Sequence, residues 1–230
     1  MEKSSKQSSK DLLFNILTSQ SLPESSISLL KDNIREIRFK KGECILKQGG
    51  RATDVMFISK GIVKHIYEFE NGKELILTIS SGPNLVGGAG LFSDGSSPFS
   101  IVVIEECDVC LIDIATLKKI IFAHSNFGLK LFEVVTEMFK ASIFNFIHLA
   151  HKNVNGKVAD TLLFLSNNVY RSENFILSLT RKELAQFAGI SEENFITTMQ
   201  RFHKENIIEV HAKQVKIVDI ERLREISKRG

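Results

Sequence analysis

The residues of this chain whose types and spacing suit a specific chemistry are Glu193, Ile196, Thr197 and Gln200, which share one face of a helix. A carboxylate, an apolar side chain, a hydroxyl and an amide, with few charges to solvate them, suit recognition of base edges in a major groove. They do not suit bond making. No cluster of nucleophile, base and orienting group is visible elsewhere, so an enzyme is not expected. The other side of the same stretch is apolar, with Phe195, Met199 and Phe202 at i, i+4 and i+7.

A second helix has to hold this one in place. Thr180 and Glu183 have the spacing of a capping box, in which the hydroxyl and the carboxylate satisfy each other's orphan amides. Leu184, Phe187 and Ala188 give that helix its apolar side, and Gly189 is free to take the positive φ that ends it. Ser191 caps the next helix, with Glu192 and Glu193 at the positive end of its dipole. Beyond it, Ile207 to Val218 forms two short alternating runs around a polar tip, a hairpin wing. Helical hairpins also serve purely as packing units, so this pattern alone leaves DNA binding and packing both open.

At 230 residues the chain is long enough for two ordinary domains. A hydrophobic fraction of 43% and a charged fraction of 25% describe a globular protein. No apolar run approaches the roughly 18 residues of a membrane helix, and MEKSSKQSSKD lacks the apolar core of a signal peptide. The expectation is therefore a cytoplasmic protein with no membrane partner. Three cysteines, an odd number, argue against a disulfide framework. The net charge is +3, and from Val154 onward twelve Lys/Arg stand against ten Asp/Glu. That weak excess counts mildly against DNA binding, because phosphate neutralisation supplies much of the affinity.

Residues 1–10 are polar and Ser/Lys-rich, a mobile tail. Leu12, Leu13, Ile16 and Leu17 fit an amphipathic helix, and Pro23-Glu24-Ser25-Ser26 opens another that carries Ile27, Leu29, Leu30 and Ile34. From Glu36 to Ile114 the chain turns to short β-rich runs around Ile37/Phe39, Cys44–Leu46, Val55–Ile58, Ile62–Tyr67, Leu75–Ile79, Ile101–Ile104 and Val109–Ile112. Lys41-Gly42, Gly49-Gly50, Lys60-Gly61, Asn71-Gly72 and Ser81-Gly82-Pro83 mark turns between them, and Asn71-Gly72 has the signature of a type I′ hairpin. Many short strands with close turns mean a β-barrel or roll. After a short helix at Leu117–Ala123, the stretch from Phe127 to Lys152 is the longest helical pattern. Phe132, Val135, Phe139, Ser142, Phe146 and Leu149 step alternately by three and four, the spacing of a coiled-coil seam. Packing of this helix on its own roll by the same residues stays open. Lys152 to Gly156 breaks the pattern as a hinge, and Lys157–Val169 forms a further helix burying Val158, Leu162, Leu163 and Leu165.

Two stretches together carry a resemblance. LTRKELAQFAGISEENF with RFHKENIIEVHAKQVKI resembles the winged helix-turn-helix of the cyclic-AMP receptor/fumarate-nitrate regulator (CRP/FNR) family of transcription factors. FKKGECILKQGGRATDVMFISKGIVKHIYEFENGKELILTISSGPNLVGGAGLF is similar to that family's cyclic-nucleotide-binding-type β-roll. The resemblance runs from about Leu29 to Leu223 with the motifs in the family's order. It implies an α+β protein: N-terminal helices and a jelly-roll-like sensor over residues 1–125, a dimerisation helix over 126–153, and a winged helix-turn-helix DNA-binding domain over 154–230. Partners implied are double-stranded DNA, RNA polymerase and a second copy of the chain. Two heads about 34 Å apart on one palindromic site explain how weakly basic heads bind tightly.

Carried over by position, Thr180, Arg181 and Ser191 would touch phosphate, and Glu193 would accept from cytosine N4. His211 and Lys213 would meet the backbone from the wing. Asn194, Ile196, Thr197 and Gln200 complete the proposed DNA-facing set. The family's guanine-reading Arg is Thr197 here, and Glu192 replaces another often basic residue. The half-site should therefore differ from the family's, with Ile196 or Thr197 against a thymine methyl.

The sensor departs further. Cyclic-AMP-binding members follow the GxxxLF-type turn with a Glu for the ribose and an Arg-Ser pair for the cyclic phosphate. Here Gly87-Gly88-Ala89-Gly90-Leu91-Phe92 keeps the turn, but Gly88 replaces the Glu and Pro98-Phe99 replace Arg-Ser. No Lys, Arg or His lies between Lys73 and Lys118, so a buried phosphate would go unpaired. Cyclic AMP is disfavoured, unless Lys64 or His65 intrudes from a neighbouring strand. The pocket that remains is apolar, lined by Leu85, Val86, Gly87, Gly88, Phe92, Phe99 and, from the long helix, Phe139 and Ile143. Three readings stay open: a small uncharged effector, a gas-sensing haem held by His65, His124, His148 or His151, or a pocket filled by side chains. Cys107 and Cys110 lie in a strand with side chains on opposite faces, and no cysteine precedes Cys44, so an iron-sulfur cluster is not expected. A scaffold whose helix-turn-helix binds a protein partner is the rival from another class.

Overall fold

The computed structural model describes residues 8–18, 22–88 and 95–230, without the side chains of residues 16–18, 141 and 144. Phe92 and the rest of the turn from Ala89, like residues 1–7, lie outside the described residues. The chain divides into two compact units, Met1–Glu68 with Ser80–Met138 and Phe69–Ile79 with Phe139–Gly230.

The chain opens with α1 (Ser9–Thr18) and α2 (Glu24–Asp32), where Leu13, Phe14, Ile27 and Leu30 are buried. The sheet follows: β1 (Ile34–Phe39), β2 (Cys44–Leu46), β3 (Asp54–Glu68), β4 (Glu74–Ser81), β5 (Asn84–Val86) and β6 (Ser100–Asp113). Its order is β1-β6-β3-β4, with β2 on β6 and β5 on β3. The registered pairs are antiparallel, as a roll requires. Alternation along β3 divides two cores. Val55 and Phe57 pack with the helices, Ile112 and Cys110 of β6, while Met56, Ile58 and Val63 face inward with Val86, Ile101, Val103, Cys107 and Val109. Asp113 then caps α3 (Ile114–Ala123) through the Thr116 amide, and α4 (Ser125–His151) follows.

Three expectations need correction here. Ile34 does not extend α2; Asn33 ends that helix, and Ile34 opens β1 opposite Ile112. Lys60-Gly61 is no turn. Register slips around Lys60 and Ile62 mark a bulge in one continuous strand, and Gly61 at φ +101° sits where a Cβ would overlap the Glu106 carbonyl and Cys107 Sγ. Asn71-Gly72 is not type I′, because only Gly72 has positive φ. The Phe69 amide donates to the Lys73 carbonyl and Gly72 to Phe69, a three-residue loop with a glycine bulge.

The second unit carries α5 (Val154–Phe164), which runs on through a π-helical turn at Leu165–Val169, then β7 (Asn174–Ile176). After them come α6 (Arg181–Ala188), α7 (Glu192–Lys204), β8 (Ile208–His211), β9 (Gln214–Ile217) and α8 (Ile220–Arg229). The expected hinge shrinks to Lys152-Asn153, because Asn153 Oδ1 accepts the amides of Asn155 and Gly156 and starts α5 at Val154. The three strands run β7-β9-β8. Val158, Leu162, Leu184, Phe195, Phe202, Ile207 and Val215 are almost wholly buried in this unit. Fully burying each apolar side chain contributes roughly 1.5–3 kcal/mol.

Candidate nucleic-acid interface and sensor roll

The two helices of the reading head are set by their caps. Thr180 N–H donates to Glu183 Oε2 at 2.8 Å and Glu183 N–H to Thr180 Oγ1 at 3.2 Å, the reciprocal box expected. Gly189 ends α6 at φ 63°, a conformation that favours glycine, and an added Cβ would press on Leu149 Cδ2 at 3.2 Å. Ser191 Oγ accepts the Asn194 amide at 3.2 Å and starts α7. With Phe195, Met199 and Phe202 buried, α7 turns Glu193, Asn194, Thr197 and Gln200 to solvent; Ile196 is half-buried at the edge of that face.

The wing is β8 and β9, with Val210 opposite Val215 and His211 opposite Gln214. Ala212 turns the tip at φ 54°. His211 and Lys213 are exposed there, and the Leu177 amide donates to the Lys213 carbonyl at 2.8 Å. Thr180 and Ser191 are exposed. Arg181 is turned inward instead: Nη2 donates to the Ala212 carbonyl at 3.1 Å, Nη1 is buried with no hydrogen-bond partner, and burial pushes the guanidinium pKa down.

In the roll, His65 sits opposite Ile101 on the face of Val63 and the inner core. It is 4% exposed, 3.2 Å from Ser80 Oγ and edge-on to Phe99 at 5.1 Å between centroids. Desolvation pushes its pKa down to about 4, so one of the two cations allowed for from sequence is a neutral imidazole near pH 7, while the other, Lys64, is half-buried opposite Val102 on the alternate face of β3. Val86 and Gly87 are buried, Phe99 is half-buried and Gly88 exposed. A Cβ on Gly87 would overlap Met56 Cε, so the Met56 side chain already occupies the space beside that turn. At the edge of the cassette, Ser100 Oγ donates to Glu68 Oε1 at 2.9 Å, and Lys47 Nζ lies 2.6 Å from Glu68. Arg51 is exposed and joins Ser96 by a backbone bridge.

On α4, Phe132, Val135, Phe139 and Phe146 are 69, 58, 65 and 72% exposed, with Ser142 and Ile143 also exposed and Leu149 half-buried. Four bulky apolar side chains at seam spacing in solvent are costly for a solitary chain.

Comparison with known proteins matches two successive stretches of the chain. Residues 36–124 match the cyclic nucleotide-binding domain family and residues 156–226 the Crp-like helix-turn-helix domain family. The chain is 26% identical over 208 residues to the CRP-like cAMP-activated global transcriptional regulator of Mycobacterium tuberculosis, covering 89% of this chain and 93% of that protein. It is 24% identical over 182 residues to the cAMP-activated global transcriptional regulator CRP of Salmonella typhimurium, covering 77% and 87%. The structure of FixK2 from Bradyrhizobium japonicum superposes with a TM-score of 0.78 at 19% identity over 84% of this chain and 96% of that one. The chain belongs to the CRP/FNR family.

As a CRP/FNR protein it is a DNA-binding transcription regulator. The scaffold alternative is not favoured, because the helix-turn-helix matches the Crp-like domain. Of the four histidines considered for haem, His65 Nε2 lies 3.2 Å from Ser80 Oγ, His124 Nε2 2.7 Å from Ser26 Oγ and His148 Nδ1 3.2 Å from Asp160 Oδ2, contacts that engage one ring nitrogen of each. Among the described residues, no group of three or more His, Cys, Asp or Glu is placed to hold a metal ion. Cys107 and Cys110 face the inner and the helix-side core respectively, as alternation predicts, and burial pushes both thiols up to about 12, away from the thiolate a cluster needs. No helix among the described residues is long and apolar enough to cross a membrane.

Sequence reasoning missed β5, β7 and α8. Helix α8 did carry a signal: Asp219 caps it through the Arg222 amide at 2.9 Å, Leu223 is buried, and Lys228 and Arg229 fill its last turn. The short run of β7 carries no such mark.

Proposed function

We propose that the protein is a cytoplasmic, homodimeric one-component regulator that reads an operator with α7 and answers to an effector other than cyclic AMP. Residues 1–125 sense, 126–153 dimerise and 154–230 bind DNA. The observation that carries this reading is α7, which buries Phe195, Met199 and Phe202 and exposes Glu193, Asn194, Thr197 and Gln200 beside a wing bearing His211 and Lys213. Glu193, Asn194, Ile196, Thr197 and Gln200 read bases; Thr180, Ser191, His211 and Lys213 hold phosphates; RNA polymerase is the partner at the promoter.

The α4 stripe supports a second copy as its cover, since Phe132, Val135, Phe139, Ser142, Phe146 and Leu149 recur at the seam spacing of paired helices. Val86, Gly87, Gly88 and Phe99 of the roll are the residues that meet the effector. The relatives quoted above are cAMP-activated by name. Against a cyclic phosphate in this roll stand Pro98-Phe99, the neutral His65, and the carboxylate of Glu68 bonded to Ser100. A small uncharged effector meets none of those objections.

Fluorescence anisotropy of a bound duplex, titrated with cyclic AMP to millimolar concentration, tests the effector assignment. Unchanged affinity is expected, and a cyclic-AMP-dependent gain overturns it.

A further inference from the structure

The linker joining α4 to α5 is bonded, group by group, to the last turn of α8. Lys152 Nζ lies 2.7 Å from Asp160 Oδ2 and 2.9 Å from Oδ1, and donates to Ser227 Oγ at 3.2 Å. The Ser227 hydroxyl itself donates to Asp160 Oδ1, and His148 Nδ1, in the last turn of α4, lies 3.2 Å from Asp160 Oδ2. One residue on, the Asn153 amide donates to the Gly230 carbonyl at 2.9 Å while its side chain caps α5. Gly156 and Gly230 meet backbone to backbone, and a Cβ on either would overlap the other. The Lys152 and Asp160 side chains are only 14 and 21% exposed, so water screens their attraction less than it would a surface pair.

A two-residue linker should let a reading head swing. This one has the Lys152 side chain and the Asn153 amide both engaged by α8, an element outside the helix-turn-helix and its wing. We propose that α8 is a latch across the hinge: while its last turn is docked, the end of α4 and the reading head move as one piece, and reorientation of the head requires that turn to leave. Lys152, Asp160 and Ser227 are positioning residues for DNA binding. The latch rests on the functional reading above, in which the protein answers to an effector; re-aiming of the heads is the response it would restrain.

Amide hydrogen exchange on the full chain tests the latch without DNA. In Asp160→Asn and Ser227→Ala, exchange at Asn153 and Asn155 should quicken by about 10-fold or more, the amides of Phe195 and Met199 should stay within about 2-fold, and Ser227→Thr, which keeps the hydroxyl, should restore wild-type exchange. Unchanged linker exchange in both variants overturns the latch. So does an equal rise in α7, which would mean that the pairs merely stabilise the domain. Failure of the wild-type chain to bind any duplex would sink the functional reading and leave this exchange result standing.

Discussion

The guanidinium of Arg181 donates to the carbonyl of Ala212 at 3.1 Å, so the first residue of α6 holds the tip of the wing. By family position Arg181 was expected on a phosphate. Its half-burial places the charge where it can fix His211 and Lys213 relative to the helix pair. Arg181→Ala should weaken DNA binding by about 10-fold, near the 1.4 kcal/mol of one charge-assisted hydrogen bond, with little change in salt dependence. Lys213→Ala should instead lower the slope of log K against log salt by about 1. A slope change of that size in Arg181→Ala would restore it to the phosphate contacts.

Glu193 stands exposed in the first turn of α7. Glu193→Ala should lose about 1–3 kcal/mol of discrimination at one base pair while leaving non-specific binding intact. Anisotropy with matched and scrambled duplexes checks this. Equal loss on both would count against base reading.

The exposed stripe on α4 predicts a dimer that a charge should break. Phe139→Glu and Phe146→Glu place a carboxylate in the apolar seam, and sedimentation should show wild-type dimers and variant monomers at micromolar concentration. Wild-type monomers throughout would remove the seam.

His65 predicts an acid limb in stability. Its folded pKa lies near 4, below the usual 6.5, so between those values the unfolded chain binds a proton that the folded chain refuses. Stability is therefore full above pH 6.5 and falls by roughly 1.4 kcal/mol per pH unit as pH drops toward 4. Urea midpoints at pH 7.5 and 5 should separate less in His65→Gln than in the wild type; equal separations would place the imidazole in contact with water.

How much of this was legible in the sequence depends on how local each determinant is. The capping box, Gly189, Ser191 and the Phe195-Met199-Phe202 stripe act within a turn or two, and each stands where spacing put it. Non-local pairing decided the rest. Gly61 looks like a turn until the ladder with β6 runs past it on both sides, and Asn71-Gly72 takes a different turn because Phe69 and Lys73 close the loop. Ile34 fits α2 by period and joins β1 because Ile112 pairs with it. Arg181 and the Lys152–Asp160–Ser227 cluster join residues 31 and up to 75 positions apart, beyond any periodicity.

Selection of duplexes from a random pool by the full-length protein, followed by sequencing, tests operator reading by paired α7 helices most directly. The expected result is an inverted repeat with half-site centres about one helical turn, 10 base pairs, apart, in which Glu193→Ala relaxes one position of each half-site. A pool without enrichment, or a single unpaired motif unaffected by Glu193→Ala, would contradict it.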